Sequence, residues 1–536
     1  MWYRALLLVL SVLLTIPTLA QSKWAWATGD AGISYNINPT YPRQVVAAHE
    51  GHVLWGVIQN KKMTYRQVML GDYRFYDYDS SGNVSANALI TGKVSLIAAR
   101  ADAAGNWYIL GTFYDSVMLS NGMNLVRLGT GTGSEYFLLR LHAGTLAPDW
   151  LQLVGGSYYC STDCFTLRGG DIYLPIDSAD GTAICRYNTT TGARTTLWSQ
   201  KGRTYTSYID ADNSGNIYLM GHCSLAGGLN FNGTISTPPP SAQYPWYIAR
   251  YHSNGQHHWH YWLTDITCTS RSFLLGNNNA VYLSGELSDS TSLGTFHFAK
   301  PTSLFYSDFI MARLDSNGTL LWAQQRPITS ITQGGIFFSS SFHMATVDTA
   351  LYMFCETQGT SVWGGGIGTQ TANNRHNATL VAYGAAGGGA IWAKVIAAGY
   401  SIAQHIITDG TDIWVTGVGL DSAALRFDSV HIPTAPGNYI PYLAKLNLKQ
   451  RPLANGITTV AATAFTIWPN PAKTTLHIQS NPARQLIIRD LTGRLIWHTY
   501  MPAKRTDVDI SGWPRGIYML ESSGSDGREV RKVLLD

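Results

Sequence analysis

Only a few clusters in this 536-residue chain have the residue types and spacing to do chemistry. His49-Glu50-Gly51-His52 resembles a zinc-protease box, but it has one residue too few between the histidines and sits on strand-like sequence rather than a helix. His257, His258 and His260 precede a tryptophan-bearing strand, where His258 and His260 would share a face at period two, the geometry a metal site needs. Asp77-x-Asp79-x-Ser81-Gly82-Asn83 and Asp210-x-Asp212-x-Ser214-Gly215-Asn216 open like calcium loops, yet Ala88 and Gly221 stand where the twelfth-position Glu belongs. Asp, Gly and Asn are also what a tight hairpin turn asks for. There is no Gly-x-Ser-x-Gly elbow and no phosphate loop. Two placed carboxylates would be enough for a glycosidase. The expectation is a chain with no catalytic set and no resident cofactor, calcium being the one ion its turns could take.

Those turns belong to a repeat. A phrase close to turn-Gly-Asn-x-Tyr-x-x-Gly appears at Gly105-Asn106-Trp107-Tyr108 and at Gly215-Asn216-Ile217-Tyr218, with weaker copies around Tyr173, Tyr282, Tyr352, Trp414 and Trp55. The marker aromatics 55, 108, 173, 218, 282, 352 and 414 are spaced by steps of 45 to 70 residues. Around each marker the same order returns: an apolar strand, the marker strand, a variable stretch, a third strand such as Phe309-Ile-Met-Ala-Arg313, and a fourth such as Leu320-Leu-Trp322-Ala. Four short strands joined by Gly/Asn turns make one meander sheet, and units that cannot bury their apolar faces alone must stack. The fold class is therefore all-β, a seven-bladed β-propeller over 21–448. The seventh unit lacks its own Trp strand, and Lys23-Trp24-Ala25-Trp26-Ala27 at the mature N-terminus supplies one, which closes the ring and removes an open edge. In this respect the chain resembles the bacterial β-propeller repeat proteins of the SBBP type, over roughly residues 22–448.

Loop length then selects a binding end. The turns from first to second and from third to fourth strand stay tight, while the second-to-third connections swell at 112–135, 222–245, 286–307, 355–378 and 418–440. Insertions on one side of a repeat commonly mark the functional side. That end carries Tyr114, Tyr158, Tyr159, Tyr244, Trp246, Phe305, Tyr306, Trp363 and Tyr439. Of these, Trp246, Trp363, Tyr158, Tyr159, Tyr244 and Tyr306 are the expected contacts for a glycan or protein ligand, because aromatics join a large apolar face to polar edges. Each also has a plainer reading, as packing of the loops onto the ring.

After a linker at 449–464, residues 465–536 form a second all-β unit, read as a small antiparallel sandwich. It opens Trp468-Pro469-Asn470-Pro471, continues through Asp490-Leu-Thr-Gly493-Arg494 and Gly516-Ile-Tyr518, and ends with Lys532-Val. These ordered motifs resemble the C-terminal sorting domain of type IX secretion in its type A form, with Trp468 where the opening motif has Tyr. The resemblance implies a partner in the secretion machinery and a destination outside a Gram-negative cell, released or held at its surface.

The N-terminus agrees. Arg4, the apolar run from Ala5 to Ile16 and the small residues of Thr18-Leu19-Ala20 read as a signal peptide over 1–20. The run is short of the ~20 apolar residues a membrane span needs. A formal charge of +4 with no basic cluster argues against nucleic acid as a partner. Six cysteines permit disulfides in an exported chain, Cys160 with Cys164 closing a small loop in one of several pairings. The expectation is an exported binding propeller; the alternatives are a polysaccharide-acting enzyme on the same scaffold and a structural component of the cell surface.

Overall fold

A computed structural model describes residues 22–30, 43–65, 68–126, 134–154, 164–178, 180–202, 204–223, 228–238, 245–263, 271–287, 290–299, 308–326, 335–337, 343–371, 375–420, 424–434, 439–448, 465–480, 484–490, 494–501, 504–524 and 527–536. The architecture is all-β. Among the described residues no helix is long and apolar enough to cross a membrane.

Antiparallel meanders follow one another along the chain. The first runs Val45–His49, His52–Tyr65, Val68–Tyr78 and the start of Val84–Ala101. That last strand is long enough to serve two units, and its second half opens the next meander, with Trp107–Leu119, Glu135–Leu141 and Pro148–Leu153. Then come Thr166–Arg168 to Arg194–Lys201, Thr204–Ala211 to His257–Leu263, Arg271–Leu275 to Leu320–Gln325, and His343–Val347 to Ala390–Val395. The final meander is Tyr400–Thr408, Ile413–Leu420 and Ile440–Asn447, and its fourth strand is Lys23–Gly29 from the other end of the chain, with Trp24 opposite Leu446 and Trp26 opposite Lys445.

Every marker aromatic falls in the second strand of its sheet, and all but Tyr173 are almost fully buried. A basic side chain from the third strand lies over several of them: Arg140 over Tyr108, Arg250 over Tyr218, Arg313 over Tyr282 and Lys445 over Trp414, with the charge 5.1 to 5.9 Å from the ring. The cation sits on the electron-rich ring face while its stem covers apolar surface. Innermost strands meet in chain order. Val45–His49 lies against Val84–Ala101, which meets Thr166–Arg168, and so on through Tyr400–Thr408, which returns to Val45–His49.

Four of the seams share one device. The fourth-strand Trp of one sheet donates its indole N–H to the third-to-fourth turn of the next: Trp150 to the Thr189 carbonyl at 3.0 Å, Trp259 to Ser316 at 2.8 Å and Trp322 to Ala385 at 3.2 Å. Trp26 does the same to Ser80 at 3.1 Å, from the last sheet onto the first. The ring also presses on the turn glycine. A Cβ on Gly82 or Gly318 would come within 2.8 Å of Trp26 or Trp259, and both glycines hold positive φ, at +82° to +88°.

The long second-to-third connections fold back as hairpins, among them Leu229–Phe231 with Thr234–Ser236, Thr360–Gly364 with Ile367–Gln370, and Ala424–Phe427 with Val430–Pro433. Some clip onto the preceding unit: Asn230 pairs with Lys201, and Arg426 with Ala397. Their apolar side chains, Phe231, Leu425 and Phe427, are buried in the ring's core.

The tail contains a three-stranded sheet, ordered Phe465–Trp468, Thr475–Ser480, Arg505–Asp509, and a four-stranded one, ordered Leu495–Met501, Arg484–Asp490, Gly516–Gly524, Gly527–Leu535. Leu476, Ile478, Leu486, Ile488, Val508, Leu520 and Val533 from both sheets share one apolar cluster.

Candidate functional site

The expected contact residues divide into two groups. Tyr158, Tyr159, Tyr244 and Tyr306, with Phe305, lie outside the described residues. Trp246 and Trp363 are described, and both are buried, at 6% and 3% exposure, which corrects their reading as surface contacts. Trp246 heads the third strand of its sheet and packs with His222, ring centroids 5.0 Å apart. Trp363 is turned inward by its hairpin, lies against Phe309 and donates its N–H to Thr369 Oγ1 at 3.0 Å. Tyr439 is buried as well. Trp246, Trp363 and Tyr439 thus serve as packing for the connections that carry or adjoin them.

The turn aspartates are committed to backbone. Asp102 Oδ1 accepts from the Ala104 and Asn106 amides, while Oδ2 accepts from Asn106 Nδ2 and the Tyr108 hydroxyl. Asp212 holds Ser214 and Asn216 in the same way and faces Arg250 at 3.8 Å, and Asp79 holds Ser81 and Asn83. Their companions face elsewhere: Asp77 Oδ1 lies 3.1 Å from His52 Nδ1, and Asp210 accepts from Thr166. His49-Glu50-Gly51-His52 is a tight hairpin turn with positive φ at Glu50 and Gly51. Among the described residues no three His, Cys, Asp or Glu side chains are grouped to hold a metal ion.

The histidines near 258 need a correction. A register shift opposite Arg250 and Tyr251 makes His258 an extra residue in its strand, so the period-two phase breaks there. His257, not His258, shares a face with His260: His260 Nδ1 is 3.2 Å from His257 Nε2, His260 Nε2 is 2.9 Å from Ser236 Oγ, and Phe231 stacks on the His260 ring at 4.5 Å. His258 lies on the other side, against Arg250 and His252. Burial first, then the neighbouring His260 and His258, pushes His257 down to about 4, so the imidazole pair is neutral under the hairpin.

Asp177 is a carboxyl held above its ordinary value. It is buried, accepts from the Thr206 amide at 3.0 Å and is hydrogen-bonded to the Thr182 hydroxyl; burial raises it to about 6 in spite of those bonds. Among the cysteines, Cys160 and Cys268 lie outside the described residues, and Cys185, Cys223 and Cys355 are buried thiols. Burial drives the Cys223 thiol up to about 11, which leaves it an inert core group.

In the tail, the signature residues hold the fold together. Asn470, between Pro469 and Pro471, works as a short strand in itself: Nδ2 donates to the Lys532 carbonyl at 2.9 Å, and Oδ1 accepts from the Leu534 amide at 2.8 Å. Ala472 continues the contact, pairing with Leu535. Arg494 closes its turn on Asp490 at 3.0 Å, with Gly493 outside the described residues. Gly516 starts its strand with φ +145°, and Tyr518 points inward and donates its hydroxyl to the Pro514 carbonyl at 2.7 Å. Lys532 keeps its side chain exposed.

Comparison with known proteins bears on both parts. No curated protein matches the chain. Solved structures similar to it include BamB from Moraxella catarrhalis, at 10% identity and TM-score 0.32, covering 74% of this chain and 83% of that one. PorZ, described as an essential bacterial surface component of the type IX secretion system of Porphyromonas gingivalis, aligns at 10% identity and TM-score 0.23, over 92% and 81%. The polysaccharide lyase Uly1 aligns at 10% identity and TM-score 0.40, over 78% and 92%. In the tail the likeness is one of sequence: residues 466–536 match the family model described as the secretion system C-terminal sorting domain.

Proposed function

We propose that this protein is an exported binding protein: a seven-bladed β-propeller over 22–448, joined by a linker at 449–464 to a sorting sandwich over 465–536. A signal peptide at 1–20 takes it across the inner membrane, and the secretion machinery reads the tail and passes it to the outer surface of a Gram-negative cell or beyond. There the ring binds a glycan or a protein at the end where its long connections emerge, with Tyr158, Tyr159, Tyr244 and Tyr306 as contacts. The observation that carries this reading is the repeated seam. The bond from Trp26 to Ser80 copies the one from Trp259 to Ser316, so the last sheet meets the first as the sheets bearing Trp150, Trp259 and Trp322 meet their successors. A ring without an open edge is a rigid scaffold suited to presenting loops.

A glycan array probed with the exported protein tests the ligand. Retention of a narrow set of glycans, weakened about tenfold by Tyr244→Ala or Tyr306→Ala, is the expected result. Hydrolysis of array polymers without retention would overturn it in favour of an enzyme.

A further inference from the structure

The two sheets of the tail have very different outer faces. On the three-stranded sheet the outward side chains are polar apart from Trp468 and pair with one another: Arg505 lies over Trp468 at 5.3 Å, and His477 Nδ1 is 2.9 Å from Asp507 Oδ1. On the four-stranded sheet, Leu486, Ile488, Tyr518, Leu520, Val533 and Leu535 point into the shared core, so their strand neighbours point out. Those neighbours include Ile487, Ile517, Met519 and Leu534, with Leu495 and Tyr500 on the adjoining strand, set among Gln485, Arg489, His498, Glu521 and Lys532. Leu495, Leu534 and Tyr500 are 40%, 36% and 62% exposed, and Ile487, Ile517 and Met519 are half-buried. The register gathers them: Met519 sits opposite both Arg489 and Lys532, Ile517 opposite Leu534, and Arg489 opposite Leu495. The outer face of a solvated sheet is normally polar, and a contiguous apolar one marks an interaction surface.

The signature residues point to the same face. Asn470, Arg494 and Tyr518 are consumed by bonds within the fold. Among the motif side chains that the fold leaves exposed or half-buried, Trp468 stands on the three-stranded sheet, while Ile517, between Gly516 and Tyr518, and Lys532 stand on this face.

We propose that the outer face of the four-stranded sheet, centred on Ile517 and Met519 and edged by Lys532, is where a protein of the secretion machinery grips the tail. The partner surface is apolar and rimmed by carboxylates, which complement Lys532. This rests on the export role proposed for residues 465–536. It adds the face that is read, whereas the motifs themselves serve mainly to build that face.

The test is export of the full chain in its native secreting cell, measured as the outside fraction against the periplasmic fraction. Met519→Glu and Ile517→Glu should each lower the outside fraction about tenfold or more, as expected for a central interface residue. Gln479→Glu, exposed on the outer face of the three-stranded sheet and outside the motifs, should export normally. Lys532→Glu changes an exposed side chain without touching the core, so it keeps the test open should the glutamate variants unfold; a several-fold loss of export is expected. Normal export of Lys532→Glu together with normal export of any folded Met519→Glu protein would overturn the proposal. Equal loss in Gln479→Glu and Met519→Glu would also overturn it, since the effect would not belong to one face. Deletion of 465–536 separates the two levels. If the deletion is exported normally, the export role itself fails; if it is retained while Met519→Glu is exported, only the face is wrong.

Discussion

Ser80 offers one carbonyl oxygen to two donors from the last sheet, Trp26 Nε1 at 3.1 Å and Lys445 Nζ at 3.2 Å. Lys445 in turn pairs with Asp412 at 3.1 Å while lying over Trp414. The first and last sheets are thus joined by an aromatic and a cation converging on one turn, the cation held in place by a buried carboxylate of its own sheet. Removing the clasp should loosen the whole ring. Trp24→Ala, a change in the same closing strand that empties the space against Phe427, should cost about 3–5 kcal/mol, and Trp26→Phe, which deletes the clasp's indole N–H and part of its ring, about 1–2 kcal/mol. Denaturant melts of the two variants would check the ranking.

Turn glycines under a tryptophan should tolerate less than turn glycines in the open. Gly318→Ala must strain a positive φ and push Trp259 aside, whereas Gly122→Ala, at φ +88° with nothing within 4 Å, meets only the backbone strain. We expect Gly122→Ala to cost about 1 kcal/mol and Gly318→Ala at least twice that. Equal thermal shifts in the two proteins would mean that the ring-on-turn contact contributes nothing.

Trp246 and Trp363 are pillars of the loops. Replacing either by Ala should lower stability by about 3–5 kcal/mol, and the folded fraction should bind any ligand as before. A variant that melts like the parent but binds more weakly would restore them as surface contacts.

Asp177 sets a pH dependence of unusual sign. Its folded value, about 6, is above its ordinary one, so folding favours the protonated acid. The contribution is fully present below about pH 4 and is lost as pH rises through 6, amounting to roughly 3 kcal/mol at most. Asp177→Asn keeps a neutral group that can accept from the Thr206 amide and donate to the Thr182 hydroxyl. The variant should equal or exceed the parent in melting temperature at pH 7.5 and lose that advantage at pH 4. A constant difference between those pH values would show that the carboxyl does not titrate in the folded protein.

Asn470→Ala should free the edge of the last strand at Lys532 and Leu534. The expected signs are faster amide exchange at Leu534 and a loss of about 1–2 kcal/mol in the tail, with the ring unaffected. Unchanged exchange at Leu534 would count against the side-chain clamp.

Much of this was legible in the residue pattern because repetition fixes phase. A buried aromatic at the same place in each sheet made Trp55 and Trp414 recognisable at either end of the series, and the likeness of Trp24-Ala25-Trp26 to Leu321-Trp322-Ala323 disclosed the closing strand. What the pattern concealed was direction. Nothing in the run Ser361-Val-Trp363 says that its connection doubles back as a hairpin, so a buried anchor looked like a surface contact. Alternation likewise placed His258 and His260 together, because a bulge adds a residue without leaving a mark in composition. The Trp-to-turn bonds were half visible: both partners were in the repeat, but that each reaches into the next unit follows only from stacking.

Pairing Lys23–Gly29 with Ile440–Asn447 has a consequence for manufacture. A polypeptide cut short anywhere before its final sheet keeps a bare edge at its first strand and has nothing to cover it. The export tail is placed beyond that final sheet, so any copy bearing the address already contains every segment needed to shut the circle. Incomplete products are thereby denied both a finished barrier against self-association and a passport out of the cell.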